Sequence, residues 1–194
     1  MVVIAALAAA AVALLAGAGV PTSRPATGAA VADPLDRFEF RGQPIHPACV
    51  MQLGTELSDG LPIIAAVDVE GCTESDQHPA AIAVRDEWVR IDLKDGGRFT
   101  YRHLGVSSGG THVLHTQSSG GGTGIFEDLL LVRFQQDRVR QQTKWRDRLL
   151  MTSVGSFILG DRDDGEIRFE QTQVRVGRSR YREQDTVIPL DEER

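Results

Sequence analysis

The stretch from residue 87 to residue 134 constrains the fold most, because short apolar runs alternate in it with turn signals about every ten residues. Val89, Ile91 and Leu93 lie on one side of a two-residue repeat, which is typical of a half-buried strand. Asp95 and Gly96 follow, and an Asp-Gly pair accepts the positive φ angles of a tight hairpin turn. The pattern predicts an all-β, mainly antiparallel meander that forms a sandwich or a barrel.

The run Leu129–Val132 is continuously apolar, as in a strand buried on both faces, although a short buried helix has the same pattern. Other runs predict strands at 36–41, 62–69, 98–103, 111–117, 149–154, 157–159, 166–170 (continued by Val174 and Val176) and 181–190. Turns are predicted at 105–110, 118–124, 135–138, 160–165 and 177–179. Segment 42–47 is predicted to be irregular because it holds Pro44 and Pro47, and 50–57 fits either a helix or an extended piece.

The N-terminus is a targeting segment by its pattern. Residues 2–20 form an uninterrupted run of apolar and small side chains, and an Ala-rich spacer follows. Residues 1–32 are therefore predicted to be a signal peptide, cut at 16–18 or 30–32, or an uncleaved N-terminal anchor plus spacer. No Lys or Arg precedes the run, which is atypical of such signals. Either alternative places the body of the protein outside the cytoplasm, in a periplasm or in the extracellular space.

The remaining chain, residues 33–194, is predicted to be a single mainly β domain. Of the 21 basic and 27 acidic residues, Arg24 alone precedes residue 33, so this body carries 20 − 27 = −7 charges. An acidic body argues against nucleic acid as a partner. Contact with a membrane is expected only through an uncleaved N-terminal segment.

Cys49 and Cys72 are the two cysteines of the chain, and both lie in the predicted exported body. In an oxidising compartment such a pair predicts a disulfide, which would tie the strand at 62–69 to the Pro-rich loop before Cys49. A thiol nucleophile at Cys49 beside His46 is the competing interpretation, and the second cysteine disfavours it.

Two motifs imitate catalytic or nucleotide sites. Residues 105–109 match the G-x-S-x-G nucleophile elbow of α/β-hydrolases, but a β-pattern follows Ser107 where that fold needs a helix, so a hairpin loop is predicted. The glycines at 120–124 lack the lysine and the helix start that would hold a phosphate, so this segment is predicted to be a loop.

Two further groups imitate metal sites. His112 and His115 are three residues apart on a predicted strand and should point to opposite faces, so no metal site is predicted for them. Asp161, Asp163, Asp164 and Glu166 resemble the start of a calcium loop but lack its Gly and Glu spacing. A solvated turn is predicted there, with neither a metal nor a cofactor.

Basic residues are the candidate ligand-binding groups. They share a strand register within two segments and comprise Arg138, Arg140, Lys144, Arg146, Arg148, Arg178, Arg180 and Arg182. If those segments are neighbours in a sheet, the side chains would form one stripe for an acidic glycan or a phosphate-bearing polymer. The alternative is pairing with Glu166, Glu170, Glu183 and Asp185, which would neutralise the stripe.

No set of acid, base and nucleophile emerges from the sequence, so no catalytic residue is predicted. The chain is interpreted as a noncatalytic binding protein of the cell envelope, with an anionic envelope polymer or another exported protein as its partner. A hydrolase or lyase acting on an envelope polymer is the first alternative, with carboxylates such as Asp161, Asp163 and Asp164 as acid and base. A secreted enzyme inhibitor that presents the loop held by Cys49 and Cys72 is the second.

Overall fold

A computed structural model of the chain describes residues 34–54, 66–73 and 81–191. These residues belong to one compact unit, Ala32–Arg194. The predicted signal peptide or anchor lies outside the described residues. Within the described part of the chain, none of the helices has the length and apolar character needed to cross a membrane.

The described elements are short at the N-terminal end and long at the centre. A 3-10 helix (Pro34–Arg37) precedes β1 (Glu39–Phe40), β2 (Gln43–Pro44), α1 (Pro47–Gly54), β3 (Ala66–Asp68) and α2 (Val69–Thr73). The central strands are β4 (Ala83–Arg85), β5 (Trp88–Asp92), β6 (Arg98–Val106), β7 (His112–Ser119), β8 (Phe126–Gln141) and β9 (Lys144–Asp161). The chain then forms β10 (Ile167–Glu170), β11 (Gln173–Val176) and β12 (Thr186–Pro189).

The predicted meander is confirmed as a seven-stranded antiparallel sheet in the order β3-β9-β8-β7-β6-β5-β4. The sheet is open, with β3 and β4 at its two edges, so the fold is sandwich-like and not a closed barrel. The hairpin between β5 and β6 turns at the Asp-Gly pair as predicted, where Gly96 has a φ of 84°.

Each face of the large sheet is covered by a different part of the chain. On one face, Phe38, Ile45 and Val50 from the N-terminal elements pack with Tyr101 and Leu114 of the sheet. On the other face the antiparallel sheet β10-β11-β12 covers the strands. Its Val174 and Val176, with Leu190 just after β12, pack there with Val113, Leu129, Leu131 and Leu159.

The predicted two-sided burial of Leu129–Val132 is confirmed, because its four side chains alternate between the two cores. A segment that contacts apolar layers above and below needs apolar residues at successive positions. The run therefore marks the centre of the sandwich.

The predicted disulfide is confirmed between Cys49 on α1 and Cys72 on α2, with the two Cα atoms 5.9 Å apart. The bond joins the two helices and not a strand to a loop, because the strand ends at Asp68 and α2 begins at Val69. Closing a loop of this length stabilises a fold by about 3 kcal/mol in the chain-entropy model.

The N-terminal predictions were wrong in local detail. Residues 36–41 form a 3-10 turn and the short β1, since the Phe38 N–H donates to the Leu35 carbonyl and Phe38 has a φ of 60°. Phe38 is nevertheless buried, as expected. In the segment predicted as irregular, Gln43–Pro44 pairs with β1, and Pro47 begins α1, where a missing N–H costs nothing.

Three later boundaries also differ from prediction. Residues 135–138 lie inside β8 and form no turn. Val174 and Val176 belong to β11, which folds back on β10 and does not continue it. The strand predicted at 181–190 is shorter than expected and comprises Thr186–Pro189. The polar run at 135–138 imitates a turn because both of its faces are largely exposed.

Candidate functional site

The β8–β9 hairpin extends beyond the large sheet as a two-stranded ribbon. The pairing of β7 with β8 ends at Val132, and β3 pairs with β9 from Leu150 to Thr152. Apart from Gln135, whose partner is Leu150, the paired residues of 135–149 therefore pair with each other across the hairpin and, among the described strands, with no third strand. We call residues 135–149 the arm.

The register of the arm divides its basic residues between two faces. Arg140 pairs with Trp145 and Arg138 with Asp147, so these four side chains share one face. Lys144, Arg146 and Arg148 share the opposite face. The basic residues of the arm therefore do not lie in one stripe, because the tight turn places Arg138 and Arg140 on one face and Lys144, Arg146 and Arg148 on the other.

The second basic segment lies elsewhere. Arg178, Arg180 and Arg182 are in the connection between β11 and β12, and Arg182 donates to the Leu159 carbonyl of β9 at 3.1 Å. Leu159 is 159 − 146 = 13 residues from Arg146 along the same strand, which corresponds to roughly 40 Å of extended chain. The two basic segments are not neighbours.

Six of the eight basic side chains contact a carboxylate. Arg138 pairs with Asp147 at 3.1 Å, Arg146 with Glu70 at 2.9 Å and Arg148 with Asp137 at 2.5 Å. Arg178, Arg180 and Arg182 pair with Asp185, Asp164 and Asp163 at 3.9, 3.6 and 2.7 Å. The alternative, in which acidic side chains neutralise the basic ones, thus holds for these six residues. Of the acidic partners that the sequence suggested, Asp185 alone is among the observed ones.

The ion pairs at the base of the arm hold their carboxyl groups ionised. The hydrogen bond from Arg148 lowers the pKa of Asp137, and the hydrogen bond from Arg146 lowers the pKa of Glu70. These pairs connect β8 to β9 and the arm to α2. The base of the arm is therefore fixed by side chains as well as by the backbone ladder.

The end of the arm has a different character. Arg140 and Lys144 are exposed, and within the described residues neither has an ion-pair partner. Trp145 is the cross-strand partner of Arg140 and the chain neighbour of Lys144. It is 61% exposed and has the Arg138 guanidinium 5.8 Å from its ring centroid. The arm holds five basic and two acidic residues, a local charge of +3 on a chain of −6. The sequence did not lead us to predict Trp145 as a site residue. The one signal for it is an aromatic side chain in a segment of polar residues.

A cleft lies at the base of the arm. Its volume is about 730 Å³, and its walls come from the arm and from the N-terminal elements. Leu35, Phe40 and Leu149 provide apolar surface. Arg138 and Asp147 line the cleft from the face of the arm that carries Trp145, and Asp137 and Arg148 line it from the opposite face. The arm face and the cleft are thus continuous.

The G-x-S-x-G segment forms the predicted hairpin loop. It joins β6 to β7, and no helix follows it. The Ser107 hydroxyl donates to Asp191 Oδ1 at 2.6 Å and accepts the Thr111 N–H at 3.0 Å. Ser107 therefore connects the loop to Asp191, two residues after β12, and has a structural role.

The two histidines of β7 diverge as predicted. His112 Nδ1 lies 3.2 Å from His103 Nε2 beneath Phe38, and burial together with His103 lowers the pKa of His112 to about 4. On the opposite face His115 Nε2 lies 2.7 Å from Glu127 Oε2, and burial lowers the pKa of His115. Throughout the described ranges, no three His, Cys, Asp or Glu side chains converge as metal ligands do.

The carboxylates considered as acid and base are held apart by separate partners. Asp161 Oδ1 accepts the Ile125 N–H at 2.8 Å, Asp164 pairs with Arg180, and the buried Asp163 pairs with Arg182. Burial opposes ionisation of Asp163, but hydrogen bonds led by that of Arg182 leave its pKa lowered. A general acid needs a raised pKa, so Asp163 is a poor candidate for that role.

The glycine-rich loop at 120–124 connects β7 to β8 and packs beside the β5–β6 turn, where a side chain at Gly121 would contact the backbone of Gly96. It serves as a loop, as predicted.

Comparison of the chain with protein-family models, with curated proteins and with solved structures finds no match.

Proposed function

We propose that this chain is an exported, noncatalytic binding protein of the cell envelope whose arm holds an anionic envelope polymer. The observation that carries the proposal is the end of the arm, where Arg140 and Lys144 stand exposed without ion-pair partners in the described chain, beside the exposed Trp145. Unpaired cations on a fixed ribbon can bind an anion without first breaking an internal ion pair.

Two observations support export. The apolar run at 2–20 has the pattern of a targeting segment. The Cys49–Cys72 disulfide is of a kind that persists mainly in oxidising compartments. Fractionation of cells that express the full chain tests this part of the proposal, since recovery in the cytoplasm with reduced thiols would contradict it.

Two alternatives receive less support. An enzyme would need an accessible acid and base. His115 and Glu127, however, are 6% and 8% exposed, and the carboxylate of Asp163 forms an ion pair with Arg182. An inhibitor would need a protruding loop tethered by the disulfide, whereas Cys49 is fully buried between α1 and the large sheet.

Cosedimentation of the full chain with insoluble cell envelopes tests the binding. We expect binding at 0.1 M salt and its loss at 1 M, because the Debye length falls from about 10 Å to about 3 Å. The variant R140Q/K144Q should lose binding. Its matched control is R85Q/R168Q, which removes two exposed charges from β4 and from β10. Equal loss in both variants would mean that charge acts diffusely and would overturn the assignment to the arm.

A further inference from the structure

We infer that the polymer is an acidic glycan and that Trp145 stacks on its sugar rings. This inference rests on the proposed function and adds the chemical class of the ligand. Trp145 projects from a two-stranded ribbon, and Arg138 lies over its ring at 5.8 Å from the centroid. An exposed, flat and rigid indole is suited to the apolar C–H face of a pyranose.

The cleft continues the same surface. Arg140 and Trp145 form one rung of the arm, and Arg138 and Asp147 form the rung two residues closer to the base, about 7 Å away. That inner rung lines the cleft, whose volume of about 730 Å³ falls in the range of small-ligand sites. A chain of sugar rings stacked on Trp145 would therefore run into the cleft.

The charges of the cleft favour hydroxyl groups over a bare anion. Its acidic lining residues are Glu39, Glu70, Asp137 and Asp147, and its basic ones are Arg41, Arg138 and Arg148, so the formal sum is 3 − 4 = −1. Carboxylates accept and guanidinium groups donate, and a hydroxyl group can satisfy both. Recognition of acidic groups falls instead to Arg140 and Lys144 at the end of the arm.

Two other ligand classes fit less well. A polyphosphate has no apolar face for Trp145, so the indole would contribute little to its binding. A membrane surface would need apolar residues at the tip of the hairpin, but the tip is Gln141, Gln142 and Thr143. The combination of one stacking ring, two cations and a mixed-charge cleft selects a glycan that carries carboxylate or phosphate groups.

Titration calorimetry of the full chain with four probes tests the inference. The probes are polygalacturonate as an acidic glycan, dextran as a neutral glycan, polyphosphate, and vesicles of phosphatidylglycerol. We expect polygalacturonate to bind tightest. W145A should weaken its binding about tenfold, W145F should retain most of it, and both should leave binding of polyphosphate unchanged. V84A, at an equally exposed apolar position on β4, is the matched control.

The outcomes separate this inference from the proposed function. Tightest binding of polyphosphate with no effect of W145A would overturn the glycan and leave the anion-binding arm intact. Equal binding of dextran and polygalacturonate, lost in W145A, would support ring stacking and overturn the anionic part of the function. Binding to vesicles alone would overturn the glycan in favour of a membrane surface, and binding to none of the probes would overturn both proposals.

Discussion

The Asp163–Arg182 pair provides a quantitative test of how the two sheets are held together. Asp163 Oδ1 accepts from Arg182 at 2.7 Å and from the Gly165 N–H at 2.9 Å, and its side chain is 1% exposed. Arg182 also donates to the Leu159 carbonyl at the end of β9 and lies over the Phe157 ring at 5.9 Å. The pair thereby fastens the connection between β11 and β12 to the large sheet.

Replacement of Arg182 by Met keeps the volume of the side chain but leaves the Asp163 carboxylate buried without its cation. Removing one partner of a buried pair costs about 3–5 kcal/mol, because the remaining charge is desolvated and uncompensated. We therefore expect R182M to lower the free energy of unfolding by that amount. The double variant D163N/R182M should recover about 2 kcal/mol of the loss, because Asn buries no charge and still accepts the Gly165 N–H.

Urea unfolding of the oxidised protein at pH 7 measures both values. The parent, the two single variants and the double variant are compared with one common slope of unfolding free energy against urea concentration. R168M is the matched control, because the Arg168–Glu166 pair at 2.7 Å is largely exposed and should contribute little. A loss below about 1 kcal/mol in R182M, or a double variant no more stable than R182M, would refute the reasoning that a buried charge is at stake.

Three further predictions concern the core and its titration. C49S/C72S should lower the free energy of unfolding by about 3 kcal/mol in urea, since the disulfide restricts the unfolded chain. L130A should cost about 2–5 kcal/mol in the same assay, because Leu130 is fully buried in the larger core. The pKa of His112 is lowered to about 4, whereas the unfolded chain binds this proton near pH 6.5. Stability should therefore be full above that pH and fall, by about 2–3 kcal/mol, as the pH drops towards 4; H112F should flatten this decline.

Each of these has a contradicting result. Unfolding of C49S/C72S at the urea midpoint of the parent would show that the unfolded chain is not restricted by the bond. An L130A variant within about 0.5 kcal/mol of the parent would mean that the site collapses without a cavity. A pH profile of H112F with the same slope as the parent would assign the acid sensitivity to other groups.

The parts of the fold that sequence predicted are those in which short-range pattern and burial agree. Val89, Ile91 and Leu93 alternate because one face of β5 and of the residue that follows it is covered. Leu129–Val132 is continuous because both faces of β8 are covered there. The same reasoning separated His112 from His115. In each case the environment repeats with the period of the strand, so the residues report it directly.

The arm could not be predicted in this way. Between Gln135 and Arg148 one face of the ribbon is exposed and the other is half-buried under mostly charged side chains, so no apolar face imposes alternation and the polar residues resemble a turn. The division of the basic residues depends on a register fixed at the turn at Gln142, where the φ is 55°. The Asp163–Arg182 contact joins residues 19 apart through the third dimension, and no local pattern encodes it.

The continuity of β8 and β9 from the tip of the arm into the sandwich has a mechanical consequence. The backbone that carries Arg140 and Trp145 is the same strand pair that passes between the two cores at Leu129–Val132. A polymer that pulls on the tip along the arm would load the hydrogen bonds between β7 and β8 in parallel, as shear, because the force runs along the strands. Strands sheared in register must break many bonds together, whereas strands peeled apart break them one at a time. The proposed attachment of a polymer to the arm would therefore resist drag along the arm best.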